Sequence, residues 1–227
     1  MTDRWGTGRA VNGLLDDRAI LGRIADELAR SYAGCLSPET VSRYVTESHA
    51  LLTQTARIST HLPALTRHFA ADRLRALALL EGTLVSDRPE ILVACVKNAG
   101  RSVAAKLLLE HYGRDLVTVR SAGSAPGEGI HAEVAEVLTE RGLDVSQEFP
   151  KPFTDEMVQA CDVVITMGCG EACPVFPGTR YLDWPTDDPK DEPIDVVRRI
   201  VDDIDTRVRG LLTDLIPGAA LPAAPAR

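Results

Sequence analysis

Positive charge, aromatic side chains and long apolar runs are what this sequence has least of. Its 227 residues carry 25 Lys and Arg against 33 Asp and Glu, a formal charge of -8. Nucleic acids and anionic membrane surfaces attract proteins through basic patches, so neither is expected as the main partner. The acidic residues crowd between Asp183 and Asp205 and read as a solvated loop and helix face. No apolar run approaches the length of a membrane span. Met1 to Asp17 is polar and does not read as a secretory leader, so a cytoplasmic location is expected. There is no internal repeat. What the chain does have is ordinary globular usage, 44% hydrophobic and 26% charged, enough to expect a buried core. Its length allows one large domain or two small ones. The five cysteines, Cys35, Cys95, Cys161, Cys169 and Cys173, are an odd number. In a cytosolic protein that points to catalytic or redox use of those that cluster rather than to a disulfide framework.

The first 80 or so residues read as helical. Ile20, Ile24 and Leu28 repeat at helical spacing, and Ser37-Pro38-Glu39 is a helix start, a capping serine followed by a proline whose missing N–H does no harm. Val41, Tyr44, Val45 and Leu52 continue the stripe. Leu62-Pro63 breaks the run, and Leu65, Phe69, Leu74 and Leu77 form a third stripe that ends at Glu81-Gly82. Residues 1–85 are therefore expected to form a three-helix bundle, with thin core enough to gain from dimerisation. Thr83 to Glu90 reads as a linker. From residue 86 the pattern becomes α/β. Strands are expected at Ile91–Cys95, Leu116–Arg120, Asp162–Met167 and Arg180–Trp184. Helices are expected at Arg101–Tyr112, Glu133–Arg141 and Ile194–Ile216. Alternation of this kind implies a doubly wound parallel four-stranded sheet over residues 86–217. The Pro/Ala-rich residues 218–227 read as a disordered tail.

The decisive segment is Cys95-Val96-Lys97-Asn98-Ala99-Gly100-Arg101-Ser102, which follows a strand and opens a helix. A loop wrapped around an anion aims backbone N–H groups inward, and a helix N-terminus adds positive potential. Lys97, Asn98, Ala99, Gly100, Arg101 and Ser102 are the candidate oxyanion-binding set. Gly100 permits close backbone approach. The planar fork of Arg101 can hold two oxygens. The same field favours Cys95 as a thiolate nucleophile. Ser102 can donate a hydrogen bond to it, and Asn98 can pin the loop. The Lys97 side chain either adds positive field or points to solvent.

With Ser121-Ala122-Gly123, the segment Met167 to Pro174, Tyr181-Leu182-Asp183-Trp184 and Asp188-Pro189, this loop resembles the low-molecular-weight tyrosine phosphatase family, and within it the arsenate reductase branch. The helical residues 1–85 are similar to the extension of some actinobacterial members. The resemblance implies that Asp188, with Asp187 beside it, is the general acid that protonates the departing oxygen. It also implies a relay. Cys95 would attack arsenate, Cys169 would attack Cys95 and release arsenite, and Cys173 would attack Cys169. Thioredoxin would reduce the final disulfide. Phosphate, alike in shape and charge, is expected as a competitor. No metal or organic cofactor is required; two cysteines without further partners are too few for a structural zinc site.

Cys169 and Cys173 lie four apart, which in a regular helix puts Cβ atoms roughly 5–6 Å apart, against roughly 3.8 Å in a disulfide. The pair is expected close but unbonded, with Gly168 and Gly170 supplying mobility. Cys35, Cys161 and the histidines His49, His61, His68, His111 and His131 read as structural or surface residues, none of the histidines having metal-like spacing. Three other functions remain open. One is a low-molecular-weight protein phosphatase, which the 4% aromatic content disfavours. Another is a mycothiol-dependent reductase, which would leave Cys169 and Cys173 without work. The last is a non-catalytic arsenic-binding protein.

Overall fold

The computed structural model describes residues 8–54, 61–169 and 172–224. Three helices come first: α1 (Gly8–Ser31), α2 (Pro38–Thr53) and α3 (Leu62–Leu80). Ser37 caps α2 as its sequence predicts, its side chain accepting from the Thr40 N–H with Pro38 in the first turn. Leu62-Pro63 does not merely interrupt the helical pattern; it opens α3. At the other end of α3, Gly82 takes φ +67°. The Gly82 and Thr83 N–H groups return to the Leu79 and Ala78 carbonyls, a Schellman closure.

The rest alternates: β1 (Glu90–Cys95), α4 (Arg101–Gly113), β2 (Thr118–Gly123), α5 (Ala132–Glu140), α6 (Asp155–Gln159), β3 (Val163–Met167), β4 (Arg180–Asp183) and α7 (Ile194–Leu215). The sheet is parallel throughout, in the order β2-β1-β3-β4. Cys95 pairs with Gly123 on one side and Met167 on the other, so all three strand ends reach the same rim. Two elements differ from the sequence expectation. The second strand starts at Thr118 because Arg114–Leu116 forms a 3-10 turn, and it runs on through small Ser121-Ala122-Gly123. The short α6 carries too few residues to show a period.

Side chains alternate across β1, as a pleated strand requires. Ile91, Val93 and Cys95 join Val103, Leu107 and Leu108 of α4 and Val197, Val201 and Ile204 of α7 in one core. Leu92 and Ala94 face the other way, into a core with Met157 and Val158 of α6 and Phe149. That second core also contains Leu52 of α2 and Leu62, Phe69 and Ala76 of α3. The helical extension thus covers one face of the sheet. Its α3 is a shared wall, because Ala70, Leu74 and Ala78 turn the opposite way into a core with α1 and α2.

Ion pairs run across the same seam. Arg73 of α3 bonds Glu156 of α6 at 2.7 Å as well as Glu47 of α2, and Arg75 of α3 shares Glu90 of β1 with the buried Arg120. The passage from helices to sheet at residues 81–89 is a change of pattern along the chain, not a gap in packing. Two further expectations need correction in part. Asp205, in the acidic stretch, is buried and accepts from Tyr112 Oη at 2.6 Å. In the tail, Leu221 packs on the first core and the Ala223 carbonyl lies 3.1 Å from His111 Nε2; residues 225–227 lie outside the described part. Among the described residues no helix is long and apolar enough to cross a membrane.

Candidate active site

The loop from Cys95 to Ser102 leaves β1 at the rim and enters α4. Its carbonyls are drawn outward: those of Cys95, Val96, Lys97 and Ala99 accept from the N–H groups of Ser124, Ala125, Gly127 and His131. In a trans peptide the next N–H points the opposite way. The N–H groups of Val96, Lys97, Asn98 and Gly100 therefore face the cradle's interior. The Asn98 N–H shows this directly, lying 3.2 Å from Cys95 Sγ.

Asn98 holds the loop's shape. It sits at φ +47°, a left-handed conformation that asparagine tolerates better than most residues. Its Nδ2 donates to Ser102 Oγ at 2.9 Å and its Oδ1 accepts from the Lys151 N–H at 3.0 Å. Ser102 Oγ is 3.0 Å from Cys95 Sγ. Since Ser102 Oγ already accepts from Asn98, its own hydrogen is free for the sulfur. All three residues are buried.

Arg101 stands at the mouth. Its Nη1 donates to the Thr186 carbonyl at 3.3 Å and its Nη2 to Asp188 Oδ2 at 3.1 Å. Asp188 is about half exposed, and its other oxygen accepts from the Lys190 N–H. Buried Pro189 wedges this loop against the first: a Cβ on Gly100 would stand 2.8 Å from Pro189 Cγ. The structure thus brings Cys95, Asn98, Ala99, Gly100, Arg101, Ser102 and Asp188 together. Lys97 is exposed, and its contribution is its backbone. Asp187 lines a neighbouring crevice of about 440 Å³ with Gly168, Asp183, Pro185 and Thr186.

Cys169 and Cys173 lie elsewhere. They belong to the second core, whereas the Cys95 side chain belongs to the first. Cys169 Sγ rests 3.5 Å from the Ala94 carbonyl, and all the cysteines are unbonded thiols. Helical spacing does not describe the pair, because no α-helix includes either residue. A hydrogen bond from Cys173 lowers Cys169 to about 7, while the same bond and burial push Cys173 up. Of the two thiols, Cys169 is the one that ionises more readily.

Three supporting residues complete the site: Gly123 and Gly168, which the sequence places in family motifs without this role, and Lys151, which has no signature there. Gly123 ends β2 against the loop, with no room for a side chain: a Cβ would lie 2.7 Å from the Val96 carbonyl oxygen. Gly168, at φ +81°, leaves space for Arg101, whose Nη1 would be 2.9 Å from a Cβ. Lys151 supplies its N–H to Asn98, while its own ammonium lies buried over the Phe149 ring, and this burial lowers its pKa. Cys161 is structural as expected. Its thiol donates to the Met157 carbonyl, and burial pushes it up to about 12. Cys35, half-buried, faces the Thr83 carbonyl. Among the described residues no group of three or more His, Cys, Asp or Glu could hold a metal ion.

A parallel sheet whose first strand feeds a thiol into a cradle of N–H groups, closed by an arginine and faced by an Asp-Pro loop, defines a cysteine-dependent enzyme of tetrahedral oxyanions. The chain belongs to the low molecular weight phosphotyrosine protein phosphatase family, whose profile matches residues 90–219; residues 21–78 match the protein-tyrosine-phosphatase-like N-terminal domain. Its fold is similar to that of a thioredoxin-dependent arsenate reductase from Corynebacterium glutamicum. The two are 50% identical, with a TM-score of 0.79, over 87% of this chain and 96% of that one. A putative arsenate reductase of Halobacterium salinarum is 36% identical over 128 residues, 54% of this chain and 90% of its own. An arsenate reductase of Halalkalibacterium halodurans is 32% identical over 129 residues, 52% of this chain and 91% of its own.

Proposed function

We propose that this protein reduces arsenate to arsenite. The observation that carries the reading is the second thiol pair: an oxyanion cradle needs only Cys95 to cleave a phosphate ester, but the Cys169 thiol reaches the Ala94 carbonyl, one residue before Cys95, and Cys173 lowers its pKa. Arsenate would enter the cradle, taking Arg101 from Thr186 and Asp188. The Cys95 thiolate attacks arsenic, and one oxygen leaves as water with a proton from Asp188. The Cys169 thiolate then attacks the Cys95 sulfur. A sulfur–sulfur bond forms, the sulfur–arsenic bond breaks, and its electron pair stays on arsenic, which departs as arsenite. Two thiols and arsenic acid give one disulfide, arsenious acid and one water, so atoms and electrons balance. Cys173 next displaces Cys95 from Cys169, and a dithiol protein of the thioredoxin type reduces the Cys169–Cys173 disulfide. That reductant fits a cytoplasmic enzyme. Pairing of two chains through the outer face of the extension belongs to the same proposal and is tested by sedimentation of the intact protein.

The deciding assay is arsenite production with thioredoxin, its reductase and NADPH. The parent should turn over, and Cys169→Ala and Cys173→Ala should stop after at most one cycle. Variants that turn over as fast as the parent would sink the relay and favour phosphatase chemistry or a small external thiol such as mycothiol.

A further inference from the structure

The Ala172 N–H bonds the Cys169 carbonyl at 3.2 Å in a 3-10 turn, but that turn ends before Cys173, so what fixes Cys173 lies on its far side. The residues that follow it, Pro174-Val175-Phe176-Pro177, include two prolines and so have few N–H groups with which to anchor themselves. Val175 is exposed. Beyond Cys173 the anchor among the described residues is a hydroxyl. Tyr181 Oη accepts from the Phe176 N–H at 2.9 Å and donates to the Pro174 carbonyl at 3.2 Å. Tyr181 itself is fixed, since it lies in β4 opposite Val164 of β3. Its ring and that of Phe176 pack on the same core as both thiols.

We propose that Tyr181 is a positioning residue for the relay: by clamping residues 174–176 to β4, its hydroxyl fixes the segment that carries Cys173 and so sets where the Cys173 thiol stands relative to Cys169. The proposal rests on the three-cysteine reading for its purpose, but not for its test, which uses the reduced protein without arsenate. Cys169 has few other charged neighbours that could do the same work. Asp183 of β4 opposes the thiolate, as Cys161 opposes ionisation of Cys173, and the backbone N–H groups at Met167 and Cys169 favour the thiolate. The favourable contribution that Tyr181 can alter is therefore the hydrogen bond from Cys173, which is also the largest.

The experiment is the pH dependence of iodoacetamide labelling at Cys169, read by peptide mass mapping in a Cys95→Ser background, with and without Tyr181→Phe. Cys95→Ser/Cys173→Ala marks the limit of complete loss. The background should label with a midpoint near 7. Tyr181→Phe should move it upward by at least one unit, a tenfold fall in the thiolate-to-thiol ratio, towards the Cys173→Ala limit. A folded Tyr181→Phe protein with an unchanged midpoint would overturn the proposal. A second measurement needs no substitution at Tyr181. In the reduced parent the Phe176 amide should exchange with deuterium at least tenfold more slowly than an unprotected amide. Exchange at the unprotected rate would equally overturn the clamp. If both results are as expected but the arsenite assay fails, the positioning stands and only its purpose must be sought elsewhere.

Discussion

Replacing Gly123 with alanine adds one methyl group at the end of β2, on the residue paired with Cys95 in the sheet. The methyl carbon would stand 2.7 Å from the Val96 carbonyl oxygen, 3.0 Å from the Asn98 nitrogen and 3.1 Å from Asn98 Cβ. Ordinary contacts of this kind need roughly 3.4 Å or more, so the loop would have to retreat by about 0.7 Å. It has little freedom to do so. The Cys95, Val96 and Lys97 carbonyls are held by Ser124, Ala125 and Gly127, and Asn98 is held by Lys151. Gly123 is tied in turn, donating to the Lys151 carbonyl at 2.9 Å. Overpacking of this type costs about 1–3 kcal/mol. A displacement near 1 Å at a reacting group costs on the order of 10²-fold in rate. Gly123→Ala should therefore lower stability in urea by about that energy and kcat/KM for arsenate by roughly 10- to 100-fold. Gly129→Ala is the control, since a Cβ there meets nothing within 4 Å. It should leave the rate unchanged and shift stability by less than about 1 kcal/mol. If Gly123→Ala melts with the parent and keeps its rate within twofold, the cradle is softer than its hydrogen bonds imply.

Cys161, with its thiol pushed up to about 12, should stay unlabelled by iodoacetamide in the folded protein at pH 8, and Cys161→Ala should keep full turnover; labelling ahead of Cys169 would refute its structural role. A chain starting at residue 86 loses Leu52, Leu62, Phe69 and Ala76 from the second core and leaves Glu156 without Arg73. It should bind a hydrophobic dye and lose its cooperative melt, and a melt within a few degrees of the intact protein would show that the extension is dispensable. Val175 is exposed two residues beyond Cys173, which makes it the position to test for docking of a protein reductant. Val175→Glu should slow thioredoxin-driven reduction of the Cys169–Cys173 disulfide about tenfold and leave dithiothreitol-driven reduction unchanged; equal slowing of both, or neither, would place the approach elsewhere.

The loop was readable in the sequence because its chemistry demands particular atoms at fixed spacing: a thiol, a forked cation and a hydroxyl at a strand-to-helix junction. Asp188 became readable only through the family resemblance, since an Asp-Pro pair alone marks turns everywhere. The roles of the supporting residues were not readable. Gly123, Gly168 and Tyr181 stand inside family motifs and Lys151 in none, but all four act through space left empty, a backbone N–H or a contact between distant segments, which no local pattern records. The extension shows the same limit on a larger scale. Its apolar stripes say which residues avoid water, but Phe69 and Ala70 are adjacent and buried against different partners, one towards the sheet and one towards α1 and α2. A bundle with a thin core of its own and a sheet lacking cover on one face are complementary halves, and periodicity alone cannot pair them.

That division has an order in time. The ribosome makes α1, α2 and α3 before any strand exists, and β3 emerges last of the two central strands. At a synthesis rate of about 5–20 residues per second, Leu52, Leu62 and Phe69 wait on the order of 5–20 s for the surface they will cover. During that interval the nascent chain displays a greasy ledge with no occupant. It is the stage at which a chaperone would find this protein, and at which overproduction would send it into aggregates.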